Sequence, residues 1–386
     1  MISFKKIIIF IFIFLVVLFA LFFLYDKFFV KEQQLPILES DEELKNKIGQ
    51  MLLIGFRGTD VKEDSEIFNI IKDIKVGGVV LFDYDIPSNS FPRNIVDYNQ
   101  TKKLIFDLQK YSETPLFIAV DAEGGKVNRL KSDYGFYNIV SAKEMVEKNI
   151  TDEQSKKLAE QLSDLRFNMN LAPVVDLNIN PKNPIIGALG RSFSDDEQVV
   201  TNNAEIFIKN HIEKNIITVE KHFPGHGSST SDSHLGLVDV TDVFDEQEFL
   251  PYKKLNDKNL LDAVMTAHTI NKNIDKDYPA SLSSNFLQNI LRDQIGFDGV
   301  IISDDMQMGA ISKNFNFEES IILAINAGTD IISLMNNSSD NYDSQMAYKA
   351  RDIIFQAVKD GKISKAKIEN SYNKIIELKR KYKILD

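Results

Sequence analysis

The chain of 386 residues carries 45 basic and 56 acidic side chains, a formal net charge of −11, and 44% of it is hydrophobic. The acidic balance argues against a nucleic-acid binder, since no basic excess offsets phosphate repulsion; the apolar fraction suffices for one large domain or two ordinary ones. With no cysteine, disulfides, thiolate metal sites and cysteine-linked lipids are excluded, while the redox compartment stays open.

Lys5 and Lys6 precede a run from Ile7 to Tyr25 that carries no charge. As a helix that run would extend roughly 28 Å, close to the thickness of bilayer hydrocarbon. The flanking lysines favour a cytoplasmic N-terminus and an exported remainder. A cleaved signal peptide is the rival, but Leu21-Phe22-Phe23-Leu24-Tyr25-Asp26 offers no small-residue cleavage site. The expectation is a transmembrane anchor over residues 1–26, a stalk over 27–40 and one large domain over 41–386, held at the cell membrane by a single pass with that domain outside the cytoplasm. Ser40 and Glu43 form a capping-box pattern that opens the first helix of the domain.

Eight short apolar runs rich in β-formers follow: Met51–Ile54, Gly78–Phe82, Leu116–Val120, Leu171–Val175, Ile216–Val219, Ala263–Thr266, Val300–Ser303 and Ile331–Leu334. Helical patterns lie between most of them, for example Glu153 to Phe167 with Leu158, Leu162 and Leu165 on one stripe. Alternation of this kind predicts an α/β fold, a TIM-type (β/α)₈ barrel, and strands without polar alternation fit a parallel sheet buried on both faces. A doubly wound open sheet is the alternative; the missing GxGxxG after the first strand weakens its dinucleotide-binding form. Ser364 to Tyr382 reads as a closing amphipathic helix, with no further domain expected after it.

In such a barrel the C-terminal strand ends share one face, where active sites sit. The third run ends in Asp121, followed by Glu123-Gly124-Gly125; the fourth ends in Asp176, the fifth in Lys221-His222, the sixth in His268 and the seventh in Asp304-Asp305. The fifth continues into a loop from Lys221 to His234 that holds three of the five histidines, with Pro224, Gly225 and Gly227 to turn the backbone. His222, His226 and His234 have no metal-site spacing such as HExxH, and neither a GxSxG elbow nor a phosphate loop occurs. The expectation is therefore no metal and no cofactor. Carboxylates, imidazoles and the cations Arg129, Arg191 and Lys221 leave hydrolysis of a polar neutral substrate, with glycoside cleavage by a carboxylate nucleophile and a separate acid/base foremost.

The segment Lys221-His222-Phe223-Pro224-Gly225-His226-Gly227 with Asp232-Ser233-His234 resembles the signature loop of glycoside hydrolase family 3, in its β-N-acetylglucosaminidase branch. Asp121 to Arg129, Ala172 to Asp176 with Gly190 to Phe193, and Phe297 to Met306 resemble further motifs of that branch. The resemblance implies Asp304 as nucleophile and His234 as general acid/base, held by Asp232. It implies a sugar-binding set of Asp121, Arg129, Arg191, Lys221 and His222. Asp305 competes with Asp304, and since adjacent strand residues face opposite ways only one of them can be aimed at the site. His222 has a buttressing role as its alternative, Glu123 reads as a support behind the sugar-binding set, and Asp176 and His268 as groups that hydrogen-bond loops at the barrel mouth. In three places the sequence departs from the branch: Ala188-Leu189-Gly190 precedes Arg191 where a shorter link is usual, Lys126 stands for an arginine and Ala122 for a glutamine.

What the resemblance implies is a retaining exo-β-N-acetylglucosaminidase acting on an N-acetylglucosamine-containing glycan or muropeptide; the second domain found in some relatives is not expected, so barrel loops alone would complete the site. A neutral acid/base also admits phosphate as an acceptor in the second step. The alternatives are a β-glucosidase or β-xylosidase of the same family, and a non-catalytic wall-binding barrel tethered to the membrane.

Overall fold

The computed structural model describes residues 3–29, 40–338 and 342–386, without the side chains of residues 8 and 21–29. It divides into two compact units, Met1–Leu44 and Lys45–Asp386.

The first unit holds the helix Phe4–Phe29. The expected transmembrane anchor over residues 1–26 is corrected here: among the described residues no helix is long and apolar enough to cross a membrane. Most of the expected stalk, residues 30–39, lies outside the described residues. Beyond it the Glu43 amide donates to Ser40 Oγ at 3.1 Å, forming the expected cap at the start of the helix Asp41–Gln50.

The second unit is the barrel. Its strands in order are Leu52–Gly55, Gly78–Leu81, Phe117–Val120, Met169–Asn170, Ile217–Thr218 continuing as Glu220–Phe223, Ala263–Thr266, Val300–Ser303 and Ile332–Leu334. Each pairs parallel with its neighbours. The eighth returns to the first through Leu52↔Ile332, and Ile302↔Ile331 joins the seventh to the eighth, so the ring closes. Almost every strand residue is buried, as a parallel sheet covered on both faces requires.

The helices between strands start where short polar side chains take up their first amides. Asp97 accepts from the Gln100 amide at 2.9 Å, Asp196 from Gln198 and Val199 at 2.8 and 3.0 Å, and Asn316 from Glu319 at 2.8 Å; each such cap is worth about 1 kcal/mol. The expected closing helix is Lys365–Lys381, capped by Ser364. It brings Lys379 to the N-terminal end of the barrel, where the buried amine donates to Gln50 Oε1 at 2.7 Å and lies 4.8 Å from the Phe117 ring centre.

The fourth strand is shorter than the run Leu171–Val175 suggests. Pro173 has no N–H to give to a ladder, and past Asn170 the pairing shrinks to the bridge Val174↔Lys221. The fifth strand runs further than Val219 and carries the expected loop's first residues, Lys221 to Phe223, inside the sheet.

Candidate functional site

The third strand ends at Asp121 and turns into a hairpin, Ala122–Gly124 against Val127–Asn128. Gly125, at φ +60°, makes the turn. The chain comes back over its own strand end: the Arg129 amide donates to the Asp121 carbonyl at 3.0 Å, and the guanidinium reaches Asp121 Oδ2 at 3.3 Å. Lys221 Nζ donates to Asp121 Oδ1 at 2.9 Å and lies 2.7 Å from Glu123 Oε1. Glu123 in turn receives the two-pronged grip of Arg191, with Nε and Nη2 each at 2.7 Å. Paired forks of this kind are the strongest side-chain hydrogen bonds a protein makes. Burial pushes the Asp121 and Glu123 carboxyls up, but the cations Lys221, Arg129 and Arg191 outweigh it and hold both below the usual carboxylate range. Burial pulls the Lys221 amine down, and Asp121 and Glu123 bring it back above its ordinary value. At neutral pH the whole set is charged.

At the fourth strand end Asp176 organises the signature loop. Its Oδ1 accepts from the amides of His222 and His226, at 3.1 and 2.9 Å, and its Oδ2 accepts from His222 Nδ1 at 2.7 Å. With Nδ1–H so engaged, His222 Nε2 is left to accept from Arg191 Nη2 at 3.3 Å. Gly227 tolerates no side chain, since a Cβ there would collide with the Leu177 carbonyl. His226 is buried and bonded to Ser229 at 2.7 Å and Ser233 at 3.2 Å; burial pushes its imidazole down to about 4, so it is a neutral strut.

The loop then surfaces. His234 Nδ1 meets Asp232 Oδ1 at 2.7 Å, and the same oxygen accepts the His234 amide at 2.8 Å. The imidazole is 62% exposed. Its backbone is anchored on the turn after the seventh strand, where Gly309 N donates to the His234 carbonyl at 3.2 Å and Ala310 N to the Ser233 carbonyl at 3.1 Å.

The seventh strand places its two terminal carboxylates in different surroundings. Asp305 is turned into the loop after the eighth strand: its Oδ1 accepts from the amides of Met335 and Gln307, at 3.1 and 3.2 Å, and burial pushes it up to about 7. Among the described residues the Asp304 carboxylate accepts only its neighbour's amide, at 2.8 Å. Burial pushes its carboxyl up, but the imidazoles of His268, His222 and His234 draw it below the usual range, leaving an ionised carboxylate. His268, at the sixth strand end, donates Nε2–H to the Asp305 carbonyl at 3.0 Å and accepts from Ser281 at 2.7 Å.

All eight residues singled out in the sequence therefore come to the C-terminal face. Asp121, Arg129, Lys221, Arg191 and His222 form one bonded chain through Glu123. His222 and His234 both act on Asp304. Asp232 belongs to the same face through His234. Asp176 and His268 bond loops, as expected. Sequence reasoning passed over Glu248, a buried carboxyl whose Oε2 accepts the Gly227 amide at 2.9 Å. The only signal for it was that it is the last of the polar run Asp245-Glu246-Gln247-Glu248, next to the apolar Phe249-Leu250-Pro251.

Residues 43–378 match the family described as glycosyl hydrolase family 3 N terminal domain. A beta-hexosaminidase of Photobacterium profundum is 36% identical over 280 residues, which cover 71% of this chain and 79% of that protein. Among solved structures, a family 3 beta-N-acetylglucosaminidase from Paenibacillus sp. superposes with a TM-score of 0.79 at 30% identity, covering 88% of this chain. The chain spans only 63% of that structure's length. A beta-N-acetylhexosaminidase from Beutenbergia cavernae, at 24% identity and a TM-score of 0.75, shares the fold over 87% of this chain and 98% of its own.

Proposed function

The chain belongs to glycosyl hydrolase family 3, and on that premise we propose that it is a retaining exo-β-N-acetylglucosaminidase with Asp304 as nucleophile and an Asp232–His234 acid/base dyad. Asp304 attacks the anomeric carbon while His234 protonates the departing oxygen. Water, deprotonated by the same imidazole, then opens the glycosyl-enzyme, and two inversions retain the β configuration. Asp232 holds His234 with one nitrogen bonded and the other free to face the leaving group. Asp121, Arg129 and Lys221 grip the hydroxyls of the terminal sugar with charge-assisted hydrogen bonds. Arg191 and Glu123 keep that set rigid. Within N-acetylglucosamine-containing glycans, the substrate class we favour is peptidoglycan fragments.

One observation carries this reading: the hydrogen bond from Gly309 N to the His234 carbonyl. It ties an otherwise exposed loop to the turn that follows Asp304, so the acid/base and the nucleophile share one frame. The test is hydrolysis of an aryl β-N-acetylglucosaminide by the full chain, beside Asp304→Ala and the matching aryl β-glucoside. The expected result is cleavage of the acetamido sugar alone, reduced by roughly three orders of magnitude or more in the variant. Equal cleavage of the glucoside would overturn the sugar assignment. Release of N-acetylglucosamine from a wall digest, but not from chitobiose, tests the substrate class.

A further inference from the structure

Leu235 directly follows His234 and is 71% exposed; Leu237, two residues on, is 39% exposed. Both sit on backbone that is tied at either end. The Leu235 amide donates to the Asp232 carbonyl at 3.1 Å, and the Leu235 carbonyl accepts from Lys313 Nζ at 2.9 Å. The turn after Asp304 packs on the same backbone, so that a Cβ on Gly309 would lie 3.2 Å from the Leu235 carbonyl oxygen. Beyond Leu237 the chain goes inward, with Val238 and Val240 buried and Val238–Asp239 paired to Thr269–Ile270. Between the leucines lies open space: a Cβ on Gly236 would meet nothing within 4 Å. The exposed large apolar side chains of the second unit are not scattered. All but Phe106 lie on loops that follow the second, third and fifth strands, at the barrel mouth. A lone exposed leucine needs no account, whereas apolar side chains gathered beside a polar site mark a ligand surface.

We propose that Leu235 and Leu237 form a lip on which the leaving group rests, and that they select leaving groups with an apolar surface next to the departing oxygen. The inference rests on the glycosidase reading and deepens it. The nucleophile and the proton donor flank the scissile bond, so the leaving group departs from Asp304 towards His234. The side chains it meets there are those next to His234 on the exposed stretch of the loop. The grip on the terminal sugar is charged and lies at the third to fifth strand ends; the lip carries no charge. A hydroxyl-rich leaving group gains little from leucine, whereas methylenes laid on the lip are removed from water.

The test compares hexyl and methyl β-N-acetylglucosaminides on the full chain. They release alcohols of nearly equal acidity, so both ask the same of His234, and the ratio of their kcat/KM values reads the lip. The wild type is expected to favour the hexyl glycoside about tenfold, as burying about two methylenes would give. Leu235→Ser combined with Leu237→Ser is expected to bring the ratio close to one. A merely structural role would not do this, because a displaced His234 slows both substrates alike and leaves their ratio where it was. A wild-type ratio near one, or a ratio unmoved in the variant, overturns this inference alone. If an unmoved ratio comes with a change in sedimentation between the two proteins, the lip belongs to a second copy of the chain and the proposal falls. A wild type that cleaves neither alkyl glycoside nor the aryl β-N-acetylglucosaminide overturns the reaction and the inference together.

Discussion

Two halves of the same barrel mouth are built on opposite terms. At the third to fifth strand ends Glu123, Arg191 and Lys221 are buried, and each has at least two charged or hydrogen-bonding partners within the protein. On the loop that carries His234 the imidazole is 62% exposed and has one side-chain partner. The difference follows from what each half does in the proposed reaction. A grip on sugar hydroxyls gains from bonds formed before the sugar arrives, because pre-ordered groups lose little freedom on binding. A group that must give a proton and then take one back cannot have both nitrogens spoken for. Backbone ties to the turn after Asp304 give the loop its position and leave the ring free.

Substituting one member of each half separates them. Arg191→Met leaves Glu123 buried with Lys221 as its remaining charge partner, and it is expected to cost about 3–5 kcal/mol, read as a shift in the urea midpoint. Asp232→Asn on the exposed half is expected to leave stability within about 0.5 kcal/mol. Its kcat/KM should nonetheless fall about a hundredfold on a disaccharide and less on a dinitrophenyl glycoside, which needs no acid. Equal stability losses in the two variants would erase the distinction.

Acid carries the comparison further. Cations hold the pKa values of Asp121 and Glu123 below their ordinary range in the folded chain, and Asp176 is held low beside His222 and His226. Groups depressed in this way stabilise the fold above their unfolded pKa, about 4, and that contribution is lost as pH falls through the folded values. Stability should therefore decline below about pH 4, by up to about 1.4 kcal/mol per pH unit for each carboxylate still ionised. Asp121→Asn should shallow that slope and Asp232→Asn should not. An identical slope in both variants would place the acid sensitivity elsewhere.

The sequence made the polar strand ends legible because a parallel barrel brings every strand's last residue to one rim, whatever lies between. It did not show which ends bond to which. Glu123 and Arg191 are 68 residues apart, one in the hairpin after the third strand and the other in the long loop after the fourth. Asp176 was visible as a strand end, but the three donors it collects depend on how the backbone folds after His222. Glu248 left almost no trace, since its partner is a backbone amide and backbone amides carry no sequence signal. At the edges, the fourth strand fell short where Pro173 had no proton to give, and the apolar N-terminal run suggested a membrane span that no helix among the described residues is long and apolar enough to make.

The smallest change tests the contrast most directly, because the same substitution can be made in both halves. Gly225 packs on Glu248 at φ +139°, a conformation that side-chain-bearing residues rarely adopt, so Gly225→Ala has to move buried backbone and should cost stability first, about 2 kcal/mol or more. Gly309 packs on the His234 carbonyl, and a Cβ there would lie 2.6 Å from that oxygen. The neighbour that must give way is the exposed loop, so Gly309→Ala should cost less than about 1 kcal/mol of stability. It should lower kcat/KM about tenfold by displacing the imidazole a fraction of an ångström. If Gly309→Ala instead unfolds the chain while keeping its activity per folded molecule, the loop is part of the rigid frame and the exposed ring is its only free element.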